Sequence, residues 1–141
     1  MTSYTKSDKK RIVIDTNIVI SALIGKHGES AKLFEKLIQE EVENYTSTEI
    51  IKEIVDVLNR EEITKRTTKE ARQFILEQYL IHSKLIQPKT KHLIVEHKSD
   101  NKFIDVAIEA KASYIISGDK HLLEINEFKG IKIINAKEYL K

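Results

Sequence analysis

The 141-residue sequence contains no cysteine, no tryptophan and only one proline. Without cysteine the chain can form no disulfide, no thiolate zinc site and no cysteine nucleophile, and this favours a reducing, cytoplasmic location. No apolar run approaches the ~18 residues that a membrane-spanning helix needs. The polar N-terminus also lacks the apolar stretch of a secretory signal. We therefore expect a cytoplasmic protein that does not associate with a membrane.

The charge is nearly balanced, with 24 Lys and Arg against 22 Asp and Glu and a formal net charge of +2. With 33% charged and 40% hydrophobic residues, the composition is typical of a globular protein rather than a disordered or fibrous one. The length corresponds to roughly one domain of about 150 residues. We expect residues 1–10 to form a flexible leader and residues 11–141 a single domain.

Short runs of branched residues alternate with longer stretches of helical periodicity. The run RIVID (11–15) predicts a strand that is buried on both faces, as in a parallel sheet. Further strands are predicted near 44–47, 84–87, 114–117 and 131–134. Thr67 and Glu70 have the spacing of a capping box and predict the start of a helix there. The alternation predicts an open α/β sheet of about five strands with helices between them.

Acidic residues fall at or near the ends of these predicted strands. Asp15 closes the first strand, Asp119 follows the 114–117 strand, and Asp100 begins a helix; Glu53 lies about one and a half turns into another helix. Each acid alone has an ordinary explanation as an N-cap, a turn residue or a solvated helix residue. Ligands of such sheets, however, bind outside the carboxyl ends of the strands. Carboxylates gathered there repel one another unless a cation neutralises them, and oxygen ligands favour Mg²⁺ or Mn²⁺.

Four segments of the chain, in this order and at these separations, resemble one known family. They are RIVIDTN (11–17), STEIIKE (47–53), SDNKF (99–103) and YIISGDKHLL (114–123). Together they resemble the PIN domain, and more narrowly its branch of toxins from toxin–antitoxin systems, the VapC-like ribonucleases. The resemblance extends from about Arg11 to Leu140.

The resemblance implies a PIN-like α/β fold, with a doubly wound, mainly parallel sheet of about five strands flanked by helices. It also implies a metal-dependent ribonuclease, a hydrolase that cleaves RNA phosphodiester bonds with a metal-activated water. It implies one or two bound Mg²⁺ or Mn²⁺ ions. It assigns catalysis and metal binding to four acidic residues: Asp15, Glu53, Asp100 and Asp119. Asn17 and Ser117 would orient these carboxylates, or waters on the metal, through hydrogen bonds.

Two further acids leave alternatives open. Glu49 precedes Glu53 by one helical turn, so both can face the same side, and the choice of Glu53 rests on the family pattern. Asp105 lies five residues after Asp100, which places it roughly 140° away around a helix. It is either an accessory ligand at the rim of the site or a residue on the solvent face, and the second interpretation is slightly favoured.

The predicted partners are RNA, an antitoxin protein and a second copy of the chain. Lys102 and Lys120 flank the acids in sequence and are candidates for contact with RNA phosphates. The helices that carry Phe34 and Phe74 could supply apolar contacts for a dimer.

Two other function classes compete with the nuclease. The first is a catalytically silent PIN-like scaffold that binds RNA or a protein without cutting it. The second is a phospho-acceptor switch of the response-regulator kind, which needs an acidic pair beside the first strand and an acceptor Asp after a central one. The first strand offers only Asp15, and no central strand clearly ends in Asp.

Overall fold

Strands and helices alternate along the chain in the computed structural model, which describes residues 9–25, 28–91 and 100–141. The strands are β1 (Lys10–Ile14), β2 (Val42–Thr46), β3 (Ser83–Leu85), β4 (Tyr114–Ile116), β5 (Glu127–Phe128) and β6 (Ile131–Ile134). The helices are α1 (Thr16–Ile24), α2 (Glu29–Ile38), α3 (Thr48–Leu58), α4 (Glu61–Thr64), α5 (Lys69–Ile81), α6 (Asn101–Ala110), α7 (Lys120–Leu123) and α8 (Ala136–Tyr139). Residues 1–8 of the predicted leader lie outside the described residues, and β1 already begins at Lys10.

Within the described residues the strands form one sheet in the order β3-β2-β1-β4-β6-β5. The neighbours from β3 to β6 pair in parallel, and only β5 runs antiparallel to its neighbour. The chain leaves the central strand β1 towards β2 on one side and reaches β4 on the other. The carboxyl ends of β1 and β4 therefore flank a topological switch point, the place where open α/β sheets bind ligands. This architecture confirms the predicted mainly parallel α/β sheet.

The sheet has one strand more than the predicted five. The additional strand, β5, contains only two residues and pairs with β6 through Phe128 and Ile131. Lys129 and Gly130 connect the two strands with φ angles of 50° and 83°. Positive φ at both central residues is the geometry of a two-residue hairpin turn. Such a short strand carries no periodicity that the sequence could display.

The predicted capping box at the start of α5 is wrong by one residue. Thr68 is the N-cap, and its side chain accepts a hydrogen bond from the amide of Ala71 at 3.0 Å. The Thr67 hydroxyl instead donates to the carbonyl of Ile63 at 2.7 Å and accepts from the guanidinium of Arg72 at 2.9 Å. Thr67 therefore bonds to the end of the preceding helix, α4, and Thr68 caps α5.

The core extends over both faces of the sheet. Ile12, Val13 and Ile14 are all fully buried, as the run of branched residues in β1 predicts. Helix α6 packs against β1, β2 and β4, whereas α1, α2, α3 and α5 pack on one another. The Tyr114 and Tyr139 rings meet edge to face, with centroids 5.3 Å apart.

Of the two helices suggested for a dimer contact, only the second exposes its aromatic residue. Phe34 is buried in the core, because α2 turns this side chain inward, and it cannot contact a second copy. Phe74 on α5 is 57% exposed, and Leu80, Ile81 and Leu85 nearby in sequence are exposed as well. None of the helices in the described parts of the chain is long and apolar enough to cross a membrane.

A buried asparagine connects the ends of three parallel strands. The registered pairs of β1 and β2 end at Ile12 and Asn44, so the amide of Ile14 lies beyond the last pair. The side chain of Asn44 accepts a hydrogen bond from this amide at 3.0 Å and donates to the hydroxyl of Ser83 at 2.8 Å. Asn44 is fully buried. It therefore holds the end of β1 immediately before Asp15.

Tyr79 extends this polar network from α5. Its hydroxyl donates to Thr46 Oγ1 at 2.7 Å, and the whole side chain is buried. Burial raises the pKa of Tyr79 to about 12, so the phenol remains a proton donor at neutral pH. The network therefore joins α5, β1, β2 and β3 beneath the switch point.

We predict that Asn44→Leu lowers the free energy of unfolding by about 1–3 kcal/mol, because it leaves the buried Ile14 amide without an acceptor while nearly conserving volume. Urea unfolding measures the loss. Asn59→Leu is the control, since the exposed Asn59 side chain bonds only the nearby carbonyl of Val55, and we expect a change below about 0.5 kcal/mol there. Equal losses in the two variants would contradict the role of Asn44.

Candidate active site

The candidate site begins with Asp15, directly after β1 at the switch point. Its side chain is 5% exposed. The hydroxyl of Ser117, just past β4, donates to Asp15 Oδ2 at 2.5 Å and accepts from the amide of Asp119 at 2.9 Å. Ser117 is itself fully buried. One serine therefore bridges the segments that follow the two central strands.

Asn17 reinforces the same junction from the first turn of α1. Its side-chain oxygen accepts a hydrogen bond from the amide of Gly118 at 3.2 Å. The loop after β4 is thus attached to the β1–α1 connection both through Ser117 and through Gly118. Asn17 and Ser117, the two residues that were predicted to orient the carboxylates, therefore both lie at the junction of the segments that follow β1 and β4.

Glu53 approaches the site from α3. Thr16 Oγ1 donates to its Oε1 at 2.5 Å, and Lys102 Nζ lies 3.1 Å from its Oε2. Glu49, one turn earlier on the same helix, is exposed. Of the two acids that the sequence left open, the structure therefore brings Glu53 to the candidate site.

Asp100 and Asp119 complete the group of acids. Asp100 is the N-cap residue of α6, and Asp119 is the N-cap residue of α7, where it accepts a hydrogen bond from the amide of His121 at 2.8 Å. Besides the effect of burial, the charge of Asp119 raises the pKa of the Asp100 carboxyl. Asp119 is therefore the cap of α7, where the sequence had suggested a turn residue as its ordinary explanation, and it also acts on the other acids.

The carboxyl groups act on one another electrostatically. Burial raises the pKa of Asp15 from 3.8 to about 6, with further upward contributions from the charges of Asp100 and Glu53, against the stabilising hydrogen bond from Ser117. Burial also raises the pKa of Asp100 to about 6, reinforced by the charge and hydrogen bond of Asp119 and opposed by the ammonium of Lys102. Acids from four distant segments thus form one electrostatic unit.

The remaining predicted residues occupy different environments. Lys102 is 6% exposed and lies inside the acidic group, whereas Lys120 is exposed at the start of α7. Asp105 is 7% exposed, so the slightly favoured interpretation as a solvent-face residue is wrong: α6 is buried around most of its circumference. Asp105 lines a cavity of about 160 Å³ together with Lys102 and Glu49.

An open groove of about 680 Å³ adjoins the site on the side of α1. Asn17, Ser117 and Gly118 line it, and so do the cationic side chains of Arg66 and Lys137. The groove therefore joins two cations with residues that lie within two positions of Asp15 and Asp119 in the chain.

The donors suit a hard divalent cation in their chemistry, because they are carboxylates whose mutual repulsion such an ion relieves. In the described parts of the chain, however, no group of three or more Asp, Glu, His or Cys side chains is arranged to hold a metal ion. The acids instead face protein donors, namely Ser117, Thr16, Lys102 and the His121 amide. These donors hold the carboxylates at the switch point, and because each carboxylate has two oxygens with about four acceptor sites, a carboxylate that accepts one of these bonds can still face an ion.

Residues 11–121 match the family model described as the PIN domain. The chain belongs to the PIN domain family. This PIN domain is 40% identical over 129 residues to the uncharacterized protein MJ1680 of Methanocaldococcus jannaschii, and the match covers 90% of this chain and 83% of that protein. The family assignment confirms the resemblance seen in the sequence.

Two solved structures share the fold of this PIN domain. One is VapBC2 from Rickettsia felis bound to a DNA fragment from its promoter, with a TM-score of 0.60, 17% identity and coverage of 89% of this chain and 98% of the other. The second is the PIN domain endonuclease Utp24, with a TM-score of 0.56, 19% identity and coverage of 87% and 82%. At these identities the likeness concerns the fold.

Sequence reasoning overlooked two features of the site. Thr16 stands between two residues that were singled out, yet its bond to Glu53 joins positions 37 residues apart. The burial of Lys102 was also missed. Its only sequence signal is its position directly before the buried pair Phe103 and Ile104.

We predict that Asp15→Asn stabilises the metal-free protein at pH 7.5 by about 2–3 kcal/mol. Because the folded-state pKa of Asp15 is raised to about 6, the unfolded chain ionises first as pH rises, so the wild type loses stability between about pH 4 and 6. The advantage of the variant should shrink to below about 1 kcal/mol near pH 4, where the carboxyl is protonated in the folded state and partly protonated in the unfolded chain, whose pKa is 3.8.

Urea unfolding from pH 4 to 8 in the presence of a chelator measures this dependence. Asp56→Asn is the matched control, since Asp56 is exposed on the same helix as Glu53 and should not change the profile. A stability difference for Asp15→Asn that is constant over the whole pH range would contradict the prediction.

Proposed function

We propose that this PIN domain is an endoribonuclease that depends on Mg²⁺ or Mn²⁺ and hydrolyses RNA phosphodiester bonds. The observation that carries the proposal is the electrostatic unit of buried carboxyl groups at the switch point, in which Asp15 and Asp100 both have a pKa raised to about 6. Perturbed acids in a cleft are characteristic of functional sites. The fold likeness to the PIN domain endonuclease Utp24 supports the same reaction class.

In this proposal the metal ligands are the acids at the switch point: Asp15, Glu53, Asp100 and Asp119. When bound, one or two divalent ions supply the Lewis acidity that activates a water and stabilises the leaving oxygen. The chain's own part is orientation. Ser117 fixes the carboxyl of Asp15 and the backbone at Asp119, and Thr16 fixes Glu53.

The groove beside the acids is the proposed path of the RNA backbone. Arg66 and Lys137 line it, and Lys120 is exposed beside Asp119. Cations spaced along a groove hold phosphates without reading the bases. This arrangement supports RNA binding through the sugar–phosphate backbone. Asp105, which shares a cavity with Lys102, is proposed only as an accessory to the ligand set.

We also propose that the enzyme acts in the cytoplasm as the toxin of a toxin–antitoxin pair. The support is the fold likeness to VapBC2, which was solved bound to a DNA fragment from its promoter. The antitoxin would inhibit cleavage by covering the acids. The predicted homodimer likewise remains a proposal, with Phe74 rather than Phe34 as the residue available for contact.

We expect the purified chain to cleave single-stranded RNA in Mg²⁺ or Mn²⁺ and to lose this activity in a chelator. Asp15→Asn should reduce the cleavage rate roughly 100-fold or more, since a metal ion contributes several kcal/mol to the stabilisation of transition-state charge. Denaturing gels of end-labelled RNAs, with the wild type and Asp15→Asn assayed side by side, measure the cleavage rates.

Asp56→Asn serves again as the control and should cleave at the wild-type rate, because Asp56 is exposed and is not one of the four acids. Cleavage that persists in the chelator would overturn the metal dependence. Tight RNA or protein binding without cleavage of any of several RNAs would favour the silent scaffold instead.

A further inference from the structure

Lys102 is a buried lysine in the middle of an acidic group. Only 6% of its side chain is exposed. Lysine is almost never buried unless it has a charged partner. Its Nζ lies 3.1 Å from Glu53 Oε2 and 5.0 Å from the centroid of the Phe103 ring. The position follows from α6, which begins with Asp100 at its N-cap and carries Lys102 in its first turn.

Both carboxylate oxygens of Glu53 contact other protein groups. Thr16 donates to one oxygen, and the ammonium of Lys102 lies against the other. The same ammonium acts on Asp100, where it favours the ionised carboxyl. Lys102 thus supplies one positive charge to a group of four acids, and the three aspartates have no comparable cation within hydrogen-bonding distance among the ion pairs of the described residues.

We infer that Lys102 is a resident cation of the site, which neutralises Glu53 and leaves Asp15, Asp100 and Asp119 to bind a single divalent ion. The inference rests on the proposed function, narrows the number of ions from one or two to one, and removes Glu53 from the proposed set of ligands. Lys102 is then a positioning residue, because it acts through Glu53 and the charge of the site. This role differs from the predicted contact with RNA phosphates, for which Lys102 would have to leave Glu53.

The test is the number of Mn²⁺ ions that the protein binds, measured by isothermal titration calorimetry and by electron paramagnetic resonance of the free ion. We expect one ion for the wild type and two for Lys102→Met, which keeps the apolar stem beside Phe103 but releases Glu53 as a ligand. Lys52→Met is the matched control. Lys52 is exposed one residue before Glu53, so its loss removes the same charge and should leave one ion.

A second variant tests the inference without altering the buried lysine. Glu53→Gln should still bind one Mn²⁺, with a dissociation constant within about threefold of the wild-type value, because the paired glutamate contributes little to the ion (threefold corresponds to about 0.6 kcal/mol). If Glu53 is instead a direct ligand, the variant loses the ion or binds it far more weakly.

The outcomes separate the inference from the proposed function. Two ions in the wild type, one ion in Lys102→Met, or loss of the ion in Glu53→Gln overturns the inference and leaves a metal-dependent ribonuclease standing. No bound ion in the wild type overturns both. The expected stoichiometries without any cleavage of RNA would overturn the proposed function alone.

Discussion

The repulsion among buried carboxyl groups is the constraint on which the rest of this site depends. Like charges removed from water destabilise one another unless donors or cations compensate them. Three of the four acids are met by such a group: Ser117 for Asp15, Thr16 and Lys102 for Glu53, and the His121 amide for Asp119. Burial is the main reason that the pKa of Asp15 and of Asp100 is raised to about 6, and the charges of the neighbouring acids raise both further. A further positive charge, such as that of a divalent cation, would reduce the electrostatic repulsion among these carboxylates.

The fold produces this arrangement because parallel strands end at the same edge of the sheet. Asp15 and Ser117 are 102 residues apart and meet because β1 and β4 are neighbours. The network of Asn44, Tyr79, Thr46 and Ser83 supports the same edge from below. It supplies an acceptor for the Ile14 amide where the pairing of β1 with β2 ends. The hydrogen-bonded end of β1 thus holds Asp15 in place among the other acids.

Much of the fold was predictable from local patterns. Three consecutive branched residues in β1 indicated burial on both faces, and the acids at strand ends indicated the edge where a ligand binds. Features with no local pattern were missed. The two-residue strand β5 depends on a turn in which Lys129 adopts a positive φ, and the inward orientation of Phe34 depends on how α2 packs. The burial of Asp105 likewise results from the neighbours of α6 rather than from its spacing to Asp100.

The sequence by itself determined the order of the longer strands and helices, because hydrophobic periodicity indicates them. It also determined the resemblance to the PIN domain family and the four segments that contribute acids, because these depend on residue types and their order along the chain. Only the tertiary structure decided that Glu53 rather than Glu49 joins the acids, that Ser117 bridges two strand ends, and that Lys102 lies inside the group. Those outcomes depend on distances between residues far apart in the chain. No local pattern encodes them, since the packing of α6 against the central strands and of α3 against α1 and α6 sets which side chains come together.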